Sequence, residues 1–93
     1  MSGYTKGRRG EHRAQAILEA AGYTTTRAAG SKGAADVIAW NGMSVRFISV
    51  KSGTKYASAI EREALQNLVR PANATAEIWR FPDRCREPVI EVL

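Results

Sequence analysis

One cysteine, Cys85, and one histidine, His12, are all that 93 residues supply of the side chains that most often hold zinc. A lone cysteine excludes an internal disulfide, and the lack of a Cys/His cluster argues against a structural zinc site. A small domain that manages without disulfides suits a reducing compartment. No apolar run approaches the length of a membrane span, and no signal-peptide core precedes the first helix. The expectation is therefore a cytoplasmic protein with no membrane partner. Acidic residues are in deficit: nine Asp and Glu stand against fourteen Lys and Arg, a net charge of +5, with a pI near 9.9. That deficit argues for an anionic partner, most often nucleic acid, rather than a small-molecule substrate. Linkers, repeats and low-complexity stretches are missing too. The chain reads as one domain over residues 1–93, with residues 1–7 expected to fray. A domain of this size buries only about 60% of the surface its unfolded chain exposes, so its core is thin and a partner subunit would help it.

What is present alternates between helical and strand patterns. From Arg8 to Ala21, Ala14, Ile17, Leu18 and Ala21 recur at helical spacing, and Gly22 stands where a C-terminal cap belongs. Residues 23–27 are aromatic and β-branched and read as a strand. Residues 28–35 (AAGSKGAA) form a loop, 36–40 a short apolar strand, and Asn41-Gly42 a hairpin signal. Residues 45–51 carry apolar side chains on both faces, the mark of a strand covered on both sides. Ser58 can cap a second helix that runs to about Arg70, before Pro71, with Ile60, Ala64, Leu65 and Leu68 as its buried stripe. Strands at 76–81 and 89–93 complete the order α-β-β-β-α-β-β. That order implies an α/β fold, a mixed five-stranded sheet flanked by helices; the strand order itself is open.

The hairpin carries the candidate chemistry. If its loop has four residues, position 40 faces 45 and Asp36 faces Ser49, with Lys51 on the same side of the strand. A carboxylate and an ammonium then converge at one end of the sheet. With a two-residue loop Asp36 faces Phe47 instead. Phosphodiester hydrolysis uses such a pair: the carboxylate fixes a divalent cation that activates water, and the lysine stabilises the transition state. The alternative is a salt bridge across a hairpin, worth about 0–1 kcal/mol.

The segment from Lys6 to Gly53, KGRRGEHRAQAILEAAGYTTTRAAGSKGAADVIAWNGMSVRFISVKSG, resembles the archaeal-type Holliday junction resolvases of the PD-(D/E)xK nuclease superfamily. The likeness is sharpest at KGxxxE, at the RxAGSK loop before Asp36, at the Asn-Gly hairpin and at the Val50-Lys51 pair. It implies a restriction-endonuclease-like core and a metal-dependent endodeoxyribonuclease that binds four-way junctions as a homodimer, with Mg²⁺ as cofactor and Mn²⁺ able to substitute. Asp36 and Glu11 would be metal ligands and Lys51 the catalytic lysine. Arg27, Ser31 and Lys32 match positions that face the DNA backbone, and Arg8, Arg9, Arg13 and Lys55 add basic charge nearby. For Glu11 the alternative is a first-turn acid favoured by the helix dipole. The chain is shorter than typical members, as a compact phage or mobile-element version acting in a host cytoplasm would be.

One departure stands out. The family places a metal-binding glutamate where this chain has Ser49. The missing carboxylate can come from the second helix, as in superfamily members with a Ser-Val-Lys triplet; Glu63, bordering the inward stripe, is preferred there and Glu61 is the alternative. Otherwise the site works with Asp36, Glu11, the Val50 backbone carbonyl and water, Ser49 lying beside them, or the protein binds junctions without cutting them. A nicking or restriction-like nuclease of the same fold is the remaining reading. Trp79 and Phe81 are assigned to either a dimer surface or the core.

Overall fold

A computed structural model describes residues 2–28, 35–53, 55–84 and 87–93, with side chains from residue 9 onward. Helix α1 spans Ser2–Ala20, strand β1 Thr24–Arg27, β2 Val37–Trp40, β3 Val45–Ser52, helix α2 Ala59–Gln66, β4 Ala74–Phe81 and β5 Val89–Val92. The five strands form one sheet in the order β1-β2-β3-β4-β5. Only the β3–β4 pair is parallel, and α2 provides the crossover that a parallel pair requires. No helix among the described residues is long and apolar enough to cross a membrane.

Both helices differ from their expected bounds. Helix α1 starts at Ser2 rather than Arg8, so residues expected to fray are helical, although no acid in the first turn favours that. Its other end is as expected. Gly22 takes φ 96°, and Tyr23 N–H donates to the Leu18 carbonyl while Gly22 N–H donates to that of Glu19, both at 3.0 Å. This doubly bonded stop needs a residue without Cβ. Helix α2 ends at Gln66, not Arg70. The Arg70 guanidinium instead donates back to the Gln66 and Leu68 carbonyls, at 3.0 and 3.2 Å, closing the helix from outside. Of its expected stripe only Leu65 is buried. Ile60 is 81% exposed because α2 is two turns long and packs mainly against β4.

The sheet has a core on each face, set by the alternation of strand side chains. On one face α1 buries Ala14 and Leu18 against Val37, Ala39, Ile48, Trp79 and Phe81. On the other, Leu65 of α2 packs with Ala35, Ala76 and Ile78. Trp79 and Phe81 are 1% and 2% exposed, so they are core and take no part in a dimer surface. Of the exposed large apolar residues, three lie together on edge strand β5: Val89, Ile90 and Val92.

Candidate active site

The hairpin loop decides the site, and it has four residues. Asn41 Oδ1 accepts from the N–H groups of Met43 and Ser44, each at 2.8 Å, an Asx turn that needs no left-handed residue at Gly42. Trp40 therefore pairs with Val45 and Val37 with Ile48. Asp36 comes opposite Ser49, at the end of the sheet where β3 runs on past β2. The overhanging Val50 N–H has no β2 partner. It donates to Asp36 Oδ2 at 2.8 Å, so the aspartate side chain replaces the missing strand. Burial and the neighbouring Glu11 charge push the Asp36 carboxyl above the usual carboxylate range. The Val50 N–H, Lys51 and the Ser49 hydroxyl pull the other way without cancelling this. Ser49 itself is 6% exposed and acts on the aspartate rather than on solvent.

Glu11 reaches the same end from α1, and its Oε1 accepts from Arg27 Nε of β1 at 2.9 Å. Gly10 makes that approach possible. A Cβ built there would lie 2.7 Å from Ser52 Oγ and 3.0 Å from Val50 Cγ1, so α1 sits on β3 closer than any side chain allows. Lys51 points to the α2 side, where its Nζ lies 2.6 Å from Glu61 Oε2. Glu61 is fixed by its own helix start: it accepts from Ser58 N–H at 2.8 Å and donates its N–H to Ser58 Oγ at 3.1 Å, a capping box. Lys51 and the Ser58 N–H hold the Glu61 carboxyl below the usual range.

The structure thus gathers Glu11, Asp36, Ser49, Val50 and Lys51 at one sheet end and adds Glu61. Glu63 is not brought there. Residues four apart share a helix face and residues two apart do not. Leu65 is the buried residue, so Glu61 lies on its side and Glu63 on the opposite one. The sequence preference for Glu63 rested on Ile60 pointing inward, which it does not. Arg27 is engaged by Glu11; Arg9, Arg13 and Lys55 are exposed. Ser31, Lys32 and the Arg8 side chain lie outside the described residues. Lys51 also borders a cleft of about 180 Å³ lined by Tyr56, Arg62 and Arg80, the Arg80 guanidinium lying 4.5 Å from the Tyr56 ring centre.

The sequence profile described as archaeal Holliday junction resolvase (Hjc) matches residues 2–79. The chain belongs to that family. Membership makes it an endonuclease of the junction-resolving class. Among solved structures it is similar to Archaeoglobus fulgidus Hjc, a Holliday junction resolvase from an archaeal hyperthermophile, with 28% identity and a TM-score of 0.74 over 95% of this chain and 71% of that one. No curated protein matches.

Sequence reading missed two features of this Hjc-family chain. Gly10 is one of three glycines near the start of the chain, and nothing local marks it as the contact point. Glu77, 2% exposed, accepts a bidentate pair from Arg46 Nε and Nη2, and accepts from Thr75 and from the Trp79 indole. A lone acid inside the apolar run 76–81 was the available signal, since a charge buried there needs a partner.

Proposed function

We propose that the chain cuts four-way DNA junctions by Mg²⁺-dependent phosphodiester hydrolysis, acting as a homodimer. The observation that carries this reading is the Asp36 carboxyl, fixed by the Val50 N–H and raised by burial and by Glu11. A carboxylate raised by burial beside a second carboxylate is a donor arrangement whose charge a divalent cation relieves. Resolvases of this family are generally dependent on such a cation. Asp36 and Glu11 would be the charged ligands, with neutral oxygens such as the Val50 carbonyl completing the set. A bound cation supplies Lewis-acid activation of water and charge neutralisation at the scissile phosphate.

The remaining chemistry belongs to the chain. Asp36 is held in place by a backbone N–H that cannot move without unpairing β3. Ser49, opposite that carboxyl, favours its charged form. Lys51, aimed by Glu61, offers an ammonium to the charge that develops on the phosphate oxygens. Arg9, Arg13, Arg27 and Lys55 bind phosphates, so affinity falls steeply with salt and reads DNA shape more than sequence. The exposed apolar residues of β5 support a second copy as partner, and two sites related by a two-fold axis suit paired cuts.

The test is cleavage of a four-way junction, a fork and a linear duplex with Mg²⁺, using Asp36→Asn as control. The expected outcome is junction cleavage in paired strands, lost in Asp36→Asn while junction binding survives. Tight junction binding with no cleavage over a range of divalent cations would sink the enzymatic reading in favour of a binding module. Cleavage of duplex and junction alike would point to a nicking or restriction-like activity.

A further inference from the structure

A basic groove lies beside the site, on the opposite face of the sheet. Lys51 faces α2, whereas the next residue, Ser52, faces α1 and pairs with Phe81. Between α1 and the turn that follows β4 runs a groove of about 190 Å³, lined by Arg9, Gly10, Arg13, Ser52, Phe81 and Arg84, with Asp83 and two further turn residues at its rim. Gly10 leaves room at its floor, where a Cβ would meet Ser52.

The charge here is concentrated. Glu11, Glu61, Glu77 and Glu91 each neutralise one base elsewhere, namely Arg27, Lys51, Arg46 and Arg62. The surplus behind the net +5 falls on other residues, and this one groove gathers three arginines against a single carboxylate. Arg13 is oriented by the Phe81 ring, its guanidinium 4.5 Å from the ring centre. Arg84 holds φ 65°, a left-handed conformation that glycine or asparagine would adopt at less cost. An arginine kept in a strained turn at the mouth of a basic groove is better explained by what it binds than by the fold it serves.

We propose that this groove binds a backbone phosphate of the DNA strand, separate from the scissile phosphate, so that the strand crosses the sheet end from the Lys51 side to the α1 side. The inference rests on the reading of the chain as a DNA nuclease and adds a second anchoring point. Bidentate guanidinium contacts suit phosphate geometry, and two anchors fix which bond reaches Asp36 and Lys51.

The test is fluorescence anisotropy of a labelled four-way junction in EDTA, titrated with salt, for wild type, Arg9→Ala, Arg84→Ala, the double variant and Arg84→Gly. Arg70→Ala, far from the groove, is the charge control. Each groove substitution should make the slope of log K against log salt shallower, and the double variant by about 0.9, the share of one phosphate. Arg70→Ala should leave the slope unchanged. Arg84→Gly should weaken binding yet raise the melting temperature, a combination that a structural role would not give. Neutral methylphosphonates placed singly along each arm identify the contact. At one non-scissile position the wild type should lose several-fold in affinity and Arg84→Ala should lose no more. Junctions with and without 5′-phosphates should behave alike if the ligand is the backbone and not a terminal phosphate. The proposal is overturned if the double variant keeps the wild-type slope while remaining folded, or if no non-scissile position shows this non-additivity. Should wild type bind duplex as well as junction, junction selectivity fails; the slopes, read on duplex, still decide the groove.

Discussion

Replacing Glu77 by alanine should cost more stability than any surface substitution in this chain. Glu77 is 2% exposed and accepts from Arg46 Nε at 2.8 Å and Arg46 Nη2 at 2.7 Å, from Thr75 Oγ1 at 2.5 Å and from Trp79 Nε1 at 2.9 Å. Glu77→Ala leaves a guanidinium that is mostly covered, lying over the Trp79 and Tyr23 rings, with no counter-charge, and strands two further donors. Removing one partner of such a buried pair costs about 3–5 kcal/mol. A small domain has about 5–15 kcal/mol in all, so about a fifth or more of the stability should go. The melting temperature should fall by about 12 °C or more. Urea unfolding measures the loss. The pH dependence has a definite sign. Burial raises the Glu77 carboxyl, but Arg46, Thr75 and Trp79 together bring it below its ordinary 4.5. A lowered carboxyl contributes stability above that value and loses it as pH falls through the folded value, so the gap between wild type and Glu77→Ala should narrow in acid. Adding Arg46→Met should recover much of the loss, because it removes the orphaned charge. A cost under about 1 kcal/mol for Glu77→Ala would refute the reasoning, for it would mean that Arg46 finds water easily. The network matters to function because it ties β3 to β4, and β3 carries Ser49, Val50 and Lys51.

Three further outcomes follow from the site. Gly10→Ala should gain helix propensity yet lose about 1–3 kcal/mol net to the clash with Ser52 and Val50, and single-turnover cleavage should drop as Glu11 is displaced; Ser52→Ala should restore part of both, and an unperturbed Gly10→Ala enzyme would contradict the close approach. Glu61→Ala should slow cleavage and remove half a capping box, about 0.5–2 kcal/mol by thermal unfolding, whereas Glu63→Ala should do neither; the reverse result would return the missing carboxylate to Glu63. Because the folded Asp36 carboxyl lies above its unfolded value, its charge opposes folding as pH rises through the folded value, so Asp36→Asn should melt higher than wild type at neutral pH and show no further rise with Mg²⁺. Wild type should gain stability with Mg²⁺, about 2.7 kcal/mol at a hundredfold excess over the dissociation constant, and equal Mg²⁺ responses in the two proteins would exclude Asp36 as a ligand.

Local patterns in the sequence determined the element order, the glycine stop of α1, the Ser58 cap and the membership of Asp36 and Lys51 in one hairpin. Each depends on neighbours a few residues apart, and short-range sterics and hydrogen bonds suffice to specify them. The hairpin register was legible only as a choice between two loops. The Asx turn at Asn41 made that choice, and with it placed Asp36 opposite Ser49. The extent of α2 was not legible, because Arg70 ends the helix from beyond it and burial depends on which strand lies underneath. That is why Ile60 faces out and Glu61, not Glu63, meets Lys51. Nor could the sequence assign Gly10 to a contact between α1 and β3, or pair Arg46 with Glu77 across thirty-one residues. Such contacts join segments whose spacing along the chain carries no periodic signal. Only the packing of the sheet against its helices brings the charges close enough to matter.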